Sequence, residues 1–281
     1  MNGRNLILVL AACGAAASLA FAPSHSAVAA TSAGGALLPD LDVVTPQGPI
    51  VKTVTVGRKT HFKLGFISAT VNVGSGPLTV VGSRSTPTAP MVARQIVTLR
   101  SGGTKTYPNI GRLHYVTYPS HAHFHYLGFM VYELRRMSDY HLVRPDEKTG
   151  FCLGDDYAAP GRAALRGSPK KAVYVNHCGP HAPKSLEVTE GVSVGYGDIY
   201  TQIREGQDVD LTGLPAGKYY LVHRVNASHA LHESNYQNNS SSILLELSWP
   251  HGMKKAPAIH VAAACTAVDH CRLGFFYDKI P

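Results

Sequence analysis

The sequence predicts an all-β fold, a β-sandwich with long irregular loops and few helices. Short runs rich in β-branched residues recur along the chain, among them Phe62 to Val71 and Tyr219 to Val225. Turn signals separate these runs, for example Gly74 to Pro77 and Gly102-Gly103. Few windows show the period of an amphipathic helix. Many short strands joined by Gly/Pro turns are typical of β-sandwiches.

The predicted strands are spaced along the whole chain after its first fifty residues. In order they are Ile50 to Val56, Phe62 to Val71, Leu78 to Val81, Ile96 to Leu99, His121 to Leu134, Tyr219 to Val225 and Ile243 to Trp249. The segment Ala158 to Lys171 is rich in Gly, Pro, Ala and basic residues, and we predict a long surface loop there. The tail after Pro250 is predicted to be irregular.

The first thirty residues have the composition of an export leader. Arg4 supplies a positive charge, Leu6 to Ala22 is largely apolar, and Ala27 to Ala30 offers a small-residue cleavage site. This pattern is typical of a secretory signal peptide; a membrane span is less favoured because the stretch is short and rich in Ala and Gly. We therefore expect a signal peptide at 1–30 and a secreted or extracellular protein, with a lipid anchor at Cys13 as the alternative.

The remaining chain is long enough for one domain with a sizeable core. We predict a single domain over residues 31–250, extended at its C-terminus by residues 251–281. The formal net charge of +8 is spread along the chain. It suggests an anionic cell-surface polymer as a partner, although solubility alone would also explain it. Nucleic acid is not expected as a partner, because the sequence contains no binding motif for it.

Four cysteines lie outside the leader: Cys152, Cys178, Cys265 and Cys271. An even count in an exported chain favours two disulfides. Three pairings are possible, and the local pairing of Cys152 with Cys178 and of Cys265 with Cys271 is preferred. A four-cysteine zinc site is the rival interpretation, but the spacing contains no Cys-x-x-Cys pair.

Three histidines at strict period two, His121, His123 and His125, are the most informative feature of the sequence. Residues i, i+2 and i+4 of a strand share one face, so the three imidazoles would project together, opposite Ala122 and Phe124. Three protein ligands leave coordination positions open for water or substrate, as in catalytic metal sites. Imidazole suits copper, zinc, iron and nickel, so the ligands alone leave the metal open. A solvent-facing histidine strand is the alternative, and its apolar flanks disfavour it.

Four ordered motifs between about Leu38 and Trp249 resemble the catalytic domain of lysyl oxidases. The first is the histidine strand, which runs on to Phe129 and to Tyr132-Glu133-Leu134. It is similar to the copper strand of that family. The resemblance therefore implies copper, bound by His121, His123 and His125.

The second and third motifs resemble the family segments that build its cofactor. They are Lys148-Thr149-Gly150-Phe151-Cys152-Leu153 and Asp198-Ile199-Tyr200, the latter followed by Gln207 to Thr212 and by Pro215 to Tyr219. In the family, the corresponding lysine and tyrosine are joined as lysine tyrosylquinone. The resemblance implies that Lys148 and Tyr200 form this quinone. Taken alone, Lys148 would be an exposed loop lysine and Tyr200 a core residue.

The fourth motif, Glu233 to Asn239, resembles the family's calcium-binding segment, which an Asp-Leu pair near the start of the domain completes. The resemblance implies calcium, with ligands Asp40, Leu41, Glu233, Asn235, Asn238 and Asn239. Oxygen ligands of this kind suit calcium. A polar turn is the alternative interpretation. Asn235 stands where the family usually has an acid, which removes one charge.

Animal members of the family carry a further histidine just after the copper strand, which is a candidate for their catalytic base. Val131 holds that place here, so Asp198, two residues before Tyr200, is the candidate base. This chain also lacks several of the family's cysteines.

The resemblance implies copper-dependent oxidative deamination of primary amines to aldehydes, with dioxygen as oxidant and hydrogen peroxide and ammonia as products. It implies a lysine-containing protein as substrate, which the sequence itself does not distinguish from a small diamine. Three alternatives remain at this point. They are a secreted copper-binding module without turnover, a zinc hydrolase on a β-sandwich and a calcium-bound structural protein of the cell wall.

Overall fold

The computed structural model describes residues 35–118, 121–146, 150–203 and 206–271. The predicted leader with Cys13, the cofactor candidate Lys148 and the last ten residues lie outside these ranges. Among the described residues, one short 3-10 turn at Arg162–Ala164 accompanies the strands. The prediction of an all-β fold with few helices is confirmed. No helix in the described ranges is long and apolar enough to cross a membrane.

The strands in chain order are β1 (Ala36–Leu37), β2 (Leu41–Val56), β3 (Lys59–Asn72), β4 (Leu78–Ser83), β5 (Met91–Leu99), β6 (Thr104–Tyr118), β7 (His121–Tyr126), β8 (Met130–Arg136), β9 (Leu142–Pro145), β10 (Tyr157–Ala158), β11 (Glu187–Val192), β12 (Tyr196–Tyr200), β13 (Val209–Asp210), β14 (Gly217–Val225), β15 (Ser240–Ser248) and β16 (Ala258–Cys265). They form three antiparallel sheets around a shared core.

The first sheet carries the histidine strand at its edge. Its order is β11-β4-β5-β6-β7, with β1 paired to β5. In β5, the buried residues Met91, Ala93 and Val97 lie on one face, and the more exposed Val92 and Arg94 lie on the other. Period-two alternation of this kind turns one face of a strand to the core.

The second sheet carries Tyr200, and the third packs against it. The second has the order β10-β12-β3-β13, with β2 paired to β3, and the third has the order β16-β15-β14-β8-β9. The shared core takes side chains from all three sheets, including Val80, Phe66 and Leu221. Burying these apolar side chains supplies the main stabilisation of such a core.

The expected single strand from His121 to Leu134 is in fact two strands in different sheets. β7 ends at Tyr126 and β8 begins at Met130. Gly128 between them has φ 77°, a left-handed conformation that favours glycine. The apolar run through this segment does not reveal the break, because the residues on both sides are buried.

The tail after Pro250 contains a strand, so the expectation of an irregular tail was wrong. β16 pairs with β15 and extends the third sheet. Ala263 of β16 and Cys271 pack with Tyr220 and Leu244 in a second, smaller core. β16 was missed because it is rich in alanine and largely exposed.

Strand β6 was also missed. Most of its residues are exposed and polar, which hides the alternation that marks a half-buried strand. The segment Ala158 to Lys171 is largely loop, as predicted, with the 3-10 turn inside it.

Both predicted disulfides are present, between Cys152 and Cys178 and between Cys265 and Cys271. This pairing removes the four-cysteine zinc site as an interpretation. Structural disulfides persist in oxidising compartments.

Candidate active site

β7 directs two imidazoles to one point. The Nε2 atoms of His123 and His125 lie 3.0 Å apart. Two nitrogens bound to one ion at about 2.0 Å, with an angle of roughly 90–110° between them, would be about 2.8–3.3 Å apart. The pair therefore fits two ligands of a single metal ion. In the described part of the chain, no three His, Cys, Asp or Glu side chains could hold a metal together, and the side chain of His121 is outside that part.

β7 is held on both edges. On one side it pairs with β6, whose register places His123 opposite Val116. On the other side, the backbone amide of Phe124 donates to the carbonyl of Cys178 at 2.8 Å, and the amide of Tyr126 donates to that of Phe151 at 2.8 Å. The Cys152–Cys178 disulfide joins the two covering segments. The histidine strand is thus fixed although it ends a sheet.

Tyr200 reaches the histidines from another sheet. It lines a cavity of about 170 Å³ together with His123, His125 and the Cys152–Cys178 disulfide. The structure therefore brings together residues that are 75 positions apart in the sequence, since Tyr200 belongs to β12 and His125 to β7. A larger open depression of about 350 Å³ beside Arg136 and Arg144 contains none of the predicted site residues.

The Tyr200 ring is buried and fixed in place. Its edge packs against Phe151, with the ring centroids 5.1 Å apart. Burial raises the pKa of the Tyr200 phenol well above its ordinary value, and the charge of Asp198 and a hydrogen bond to it raise the pKa further. The phenol is therefore neutral over the whole physiological range of pH.

Asp198 lies beside the phenol and away from the cavity. It is fully buried, and it shares a strand face with Tyr200, two residues on. The described residues that line the cavity do not include Asp198. The candidate base Asp198 therefore lies next to the phenol of Tyr200.

Glu190 is a second buried carboxyl at this site that sequence reasoning missed. Its Oε2 accepts a hydrogen bond from the amide of Leu153 at 3.3 Å, and its side chain has no solvent exposure. Burial raises the pKa of Glu190 well above its usual value, and the negative charge of Asp198 adds to this. Strand β11 has acids at its first and fourth positions and no clear alternation, so the sequence offered no signal that singles out Glu190.

Lys148, like the side chain of His121, lies outside the described part of the chain, because residues 147–149 are not described. Gly150, the next described residue, lies against the histidine strand. A methyl group at Gly150 would be 2.9 Å from Cβ of His125. Close contact with β7 at this position therefore requires a glycine.

The predicted calcium ligands from the two ends of the domain meet. The amide of Leu41 donates to Oε2 of Glu233 at 2.7 Å, and Nδ2 of Asn238 donates to Oδ1 of Asp40 at 2.8 Å. Asn235 and Asn239 lie in the same junction, where Nδ2 of Asn235 contacts Asn238 and Nδ2 of Asn239 contacts Glu233.

The junction has the donor chemistry that a hard cation requires. Burial, together with the charge of Asp40, raises the pKa of Glu233 to about 7, and burial raises the pKa of Asp40. Oδ1 of Asn239 is buried and has no hydrogen-bond partner among the described residues. Two carboxyls and an unsatisfied amide oxygen in one place fit calcium.

Comparison with known proteins shows which family this chain belongs to. Residues 91–250, more than half of the chain, match the family model of lysyl oxidase. The protein-lysine 6-oxidases of Gallus gallus and Sus scrofa are each 30% identical over 146 residues, which cover 50% of this chain and 30% and 51% of those proteins. Lysyl oxidase homolog 2 of Gallus gallus is 26% identical over 144 residues, covering 50% of this chain and 16% of that protein. The chain thus aligns with about half or less of the length of these relatives. The extent of the family match shows that the chain belongs to the lysyl oxidase family.

Proposed function

We propose that this protein is a copper-dependent amine oxidase that converts primary amines to aldehydes, with a quinone cofactor formed from Lys148 and Tyr200. The observation that carries the proposal is the meeting of Tyr200 with His123 and His125 at one cavity. A tyrosine to be oxidised must lie near the metal, and a finished cofactor must be open to substrate. Family membership supports the same chemistry.

Copper would be held by His121, His123 and His125. When bound, copper with dioxygen supplies the oxidation of the tyrosine ring, and the resulting quinone supplies an acceptor for two electrons from the amine. The protein's own residues orient the ring and control its proton. The T-shaped contact with Phe151 orients the ring of Tyr200, and the phenol keeps its proton and donates a hydrogen bond to Asp198.

Lysine in a protein is the substrate class that we favour. The cavity of about 170 Å³ opens to solvent beside exposed residues such as Asn176 and His177. It can admit a linear aminoalkyl chain that projects from a protein surface, and a small diamine would fit as well. The relatives named protein-lysine 6-oxidase support this choice. We also propose that the protein is secreted, because it has the sequence of an export leader and two disulfides, which persist in oxidising compartments.

The decisive experiment detects the cofactor itself. After aerobic incubation with copper, the wild-type protein should contain a crosslinked peptide joining Lys148 to Tyr200, react with phenylhydrazine and release hydrogen peroxide when given a primary amine. Tyr200→Phe and Lys148→Ala should each abolish all three results and leave copper bound. Copper-loaded wild type without crosslink or peroxide would instead identify a copper-binding module without turnover.

A further inference from the structure

Asp156 is the one acidic side chain among the described residues that line the candidate cavity. Tyr200, His123 and His125 line the same cavity, so the carboxylate and the proposed reaction centre share one volume. Asp156 is exposed, in contrast to Asp198. A substrate entering from solvent can therefore meet the Asp156 carboxylate without any rearrangement of the core.

The adjacent Asp155 has a different, structural role. Asp155 is buried, and its carboxylate accepts hydrogen bonds from the amides of Val173 at 2.7 Å and Ser193 at 2.7 Å. Its own amide donates to the carbonyl of Tyr174 at 2.9 Å. These bonds fix the backbone before Asp156. Two neighbouring aspartates thus have separate roles, one structural and one at the cavity.

Asp156 acts electrostatically on the reaction centre. Its negative charge contributes, after burial and Asp198, to the raised pKa of the Tyr200 phenol. Both residues line the same cavity, and that shared position is the geometric basis of the interaction.

A local carboxylate can attract a cationic substrate that the positive net charge of the whole chain repels. Primary alkylamines of the lysine type are cations at neutral pH, with a pKa of about 10.4, and the protein carries a formal net charge of +8. The electrostatic field of the positively charged protein therefore opposes the approach of cationic amines. Among the described residues that line the cavity, Asp156 supplies the one carboxylate that can attract a cationic amine.

We propose that Asp156 binds the primary ammonium group of the substrate at the mouth of this cavity and thereby sets the preference for cationic amines. The inference rests on the proposed amine oxidase function and adds the residue that recognises its substrate. The role is electrostatic binding, and removal of protons from the amine is left to other groups. A carboxylate that pairs with the ammonium should lower KM more than it changes kcat.

The first test compares three variants of the copper-loaded protein with n-butylamine as substrate. Asp156→Asn should raise KM about five- to tenfold, as expected between an exposed and a partly buried ion pair, with kcat changed less than about twofold. Asp156→Glu should restore most of the affinity. Glu187→Gln removes an exposed acid outside the cavity and should leave KM unchanged. An unchanged KM in Asp156→Asn would overturn the proposal.

Salt provides a readout that a purely structural role would not affect. Screening weakens an ion pair, so KM of the wild type should rise with ionic strength and KM of Asp156→Asn should not. The melting temperatures of the two proteins should agree. Equal salt dependence in both proteins would contradict ammonium binding by Asp156.

Reaction with phenylhydrazine separates failure of this inference from failure of the proposed function. Phenylhydrazine is uncharged at neutral pH and reacts with the quinone directly. Asp156→Asn should therefore be labelled at the wild-type rate and to the wild-type extent. Equal slowing of labelling and of amine oxidation would assign Asp156 to the cofactor instead. A wild type that is not labelled would refute the oxidase itself.

Binding can also be measured without cofactor or copper. In copper-free Tyr200→Phe protein, n-butylammonium should shift the amide NMR signals of Gly154 and Asn176, which line the cavity. Adding Asp156→Asn should abolish these shifts. Shifts that persist in the double variant would show that another group holds the cation.

Discussion

At the scale of single residues, the site is organised around the phenol of Tyr200. Phe151 restricts its ring, Asp198 faces its oxygen, and the histidine pair lies across the cavity. The negative charges of Asp198 and Asp156 oppose ionisation of this buried phenol. These residues therefore keep the phenol of Tyr200 neutral.

The metal assignment predicts the loss of copper from single-histidine variants. His123→Ala and His125→Ala should each abolish stoichiometric copper, because each removes one of two nitrogens that converge within 3.0 Å. Metal analysis after purification with copper measures this. His251→Ala, an exposed histidine outside the cavity, is the control. Copper that persists when His121, His123 and His125 are all alanine would refute the assignment.

If Asp198 is the catalytic base, its asparagine variant should separate cofactor content from turnover. Asp198→Asn keeps the volume of the side chain and removes its charge, so copper should still bind and phenylhydrazine should still label the quinone. Amine oxidation should fall about 10²- to 10⁴-fold, the usual contribution of a positioned base. Full activity of the labelled variant would show that the base lies elsewhere.

At the scale of elements, the histidine strand depends on the segments that cover its outer edge. An uncovered edge strand would expose unpaired backbone groups, and the Cys152–Cys178 disulfide joins the two covering segments. The second disulfide, Cys265–Cys271, closes the tail over the third sheet. One bridge therefore supports the site, and the other supports the fold far from it.

The two disulfides form a matched pair for experiment. Replacing Cys152 and Cys178 by serine should lower stability by about 3.5 kcal/mol and weaken copper binding, because the bridge closes a loop of 26 residues next to the histidine strand. Replacing Cys265 and Cys271 by serine opens a loop of 6 residues and should cost about 2.2 kcal/mol without affecting copper. Urea unfolding and copper titration measure both effects. Equal copper affinity in the two double variants would contradict the supporting role of Cys152–Cys178.

The junction that joins Asp40 and Leu41 to Glu233 and Asn238 predicts stabilisation by calcium. Calcium in hundredfold excess over its dissociation constant should stabilise the protein by about 2.7 kcal/mol, which raises its melting temperature. Glu233→Gln should remove this gain, because it deletes one of two carboxyls in the junction. Glu246→Gln, an exposed acid on the third sheet, is the control. A melting curve that calcium leaves unchanged would count against the site.

At the scale of the whole molecule, the three sheets share one core, and the core contains a histidine. His223 is fully buried in β14, and its ring is tilted by 41° against that of Tyr132, with the ring centroids 4.9 Å apart. Burial lowers the pKa of His223 to about 3, although a backbone hydrogen bond with Val44 opposes the shift. Folding therefore requires this imidazole to be neutral.

This requirement predicts a loss of stability in acid. The pKa of His223 in the folded protein lies below the unfolded value of about 6.5, so its contribution to stability is complete above pH 6.5. This contribution is lost as the pH falls toward 3, by up to about 1.4 kcal/mol per pH unit. Urea unfolding between pH 7 and pH 4.5 measures the loss. His223→Gln should show a shallower dependence on pH. An identical slope in variant and wild type would assign the acid sensitivity to other groups.

The sequence alone determined the local features of this protein. The period of two places His123 and His125 on one face whatever the rest of the chain does, because side chains of a strand alternate. The disulfides join cysteines that are near in sequence, and clusters of β-branched residues marked most of the central strands. Each of these features depends on neighbours within a short stretch of chain.

Tertiary structure decided which distant residues meet. It placed Tyr200 of β12 across from His125 of β7, buried Glu190 beside Asp198, and turned Asp156 into the cavity while Asp155 was tied into the backbone. It also divided the run from His121 to Leu134 at Gly128, so that β7 and β8 joined different sheets. These outcomes follow from sheet packing and loop closure, which depend on the whole core and leave no periodic mark in the sequence.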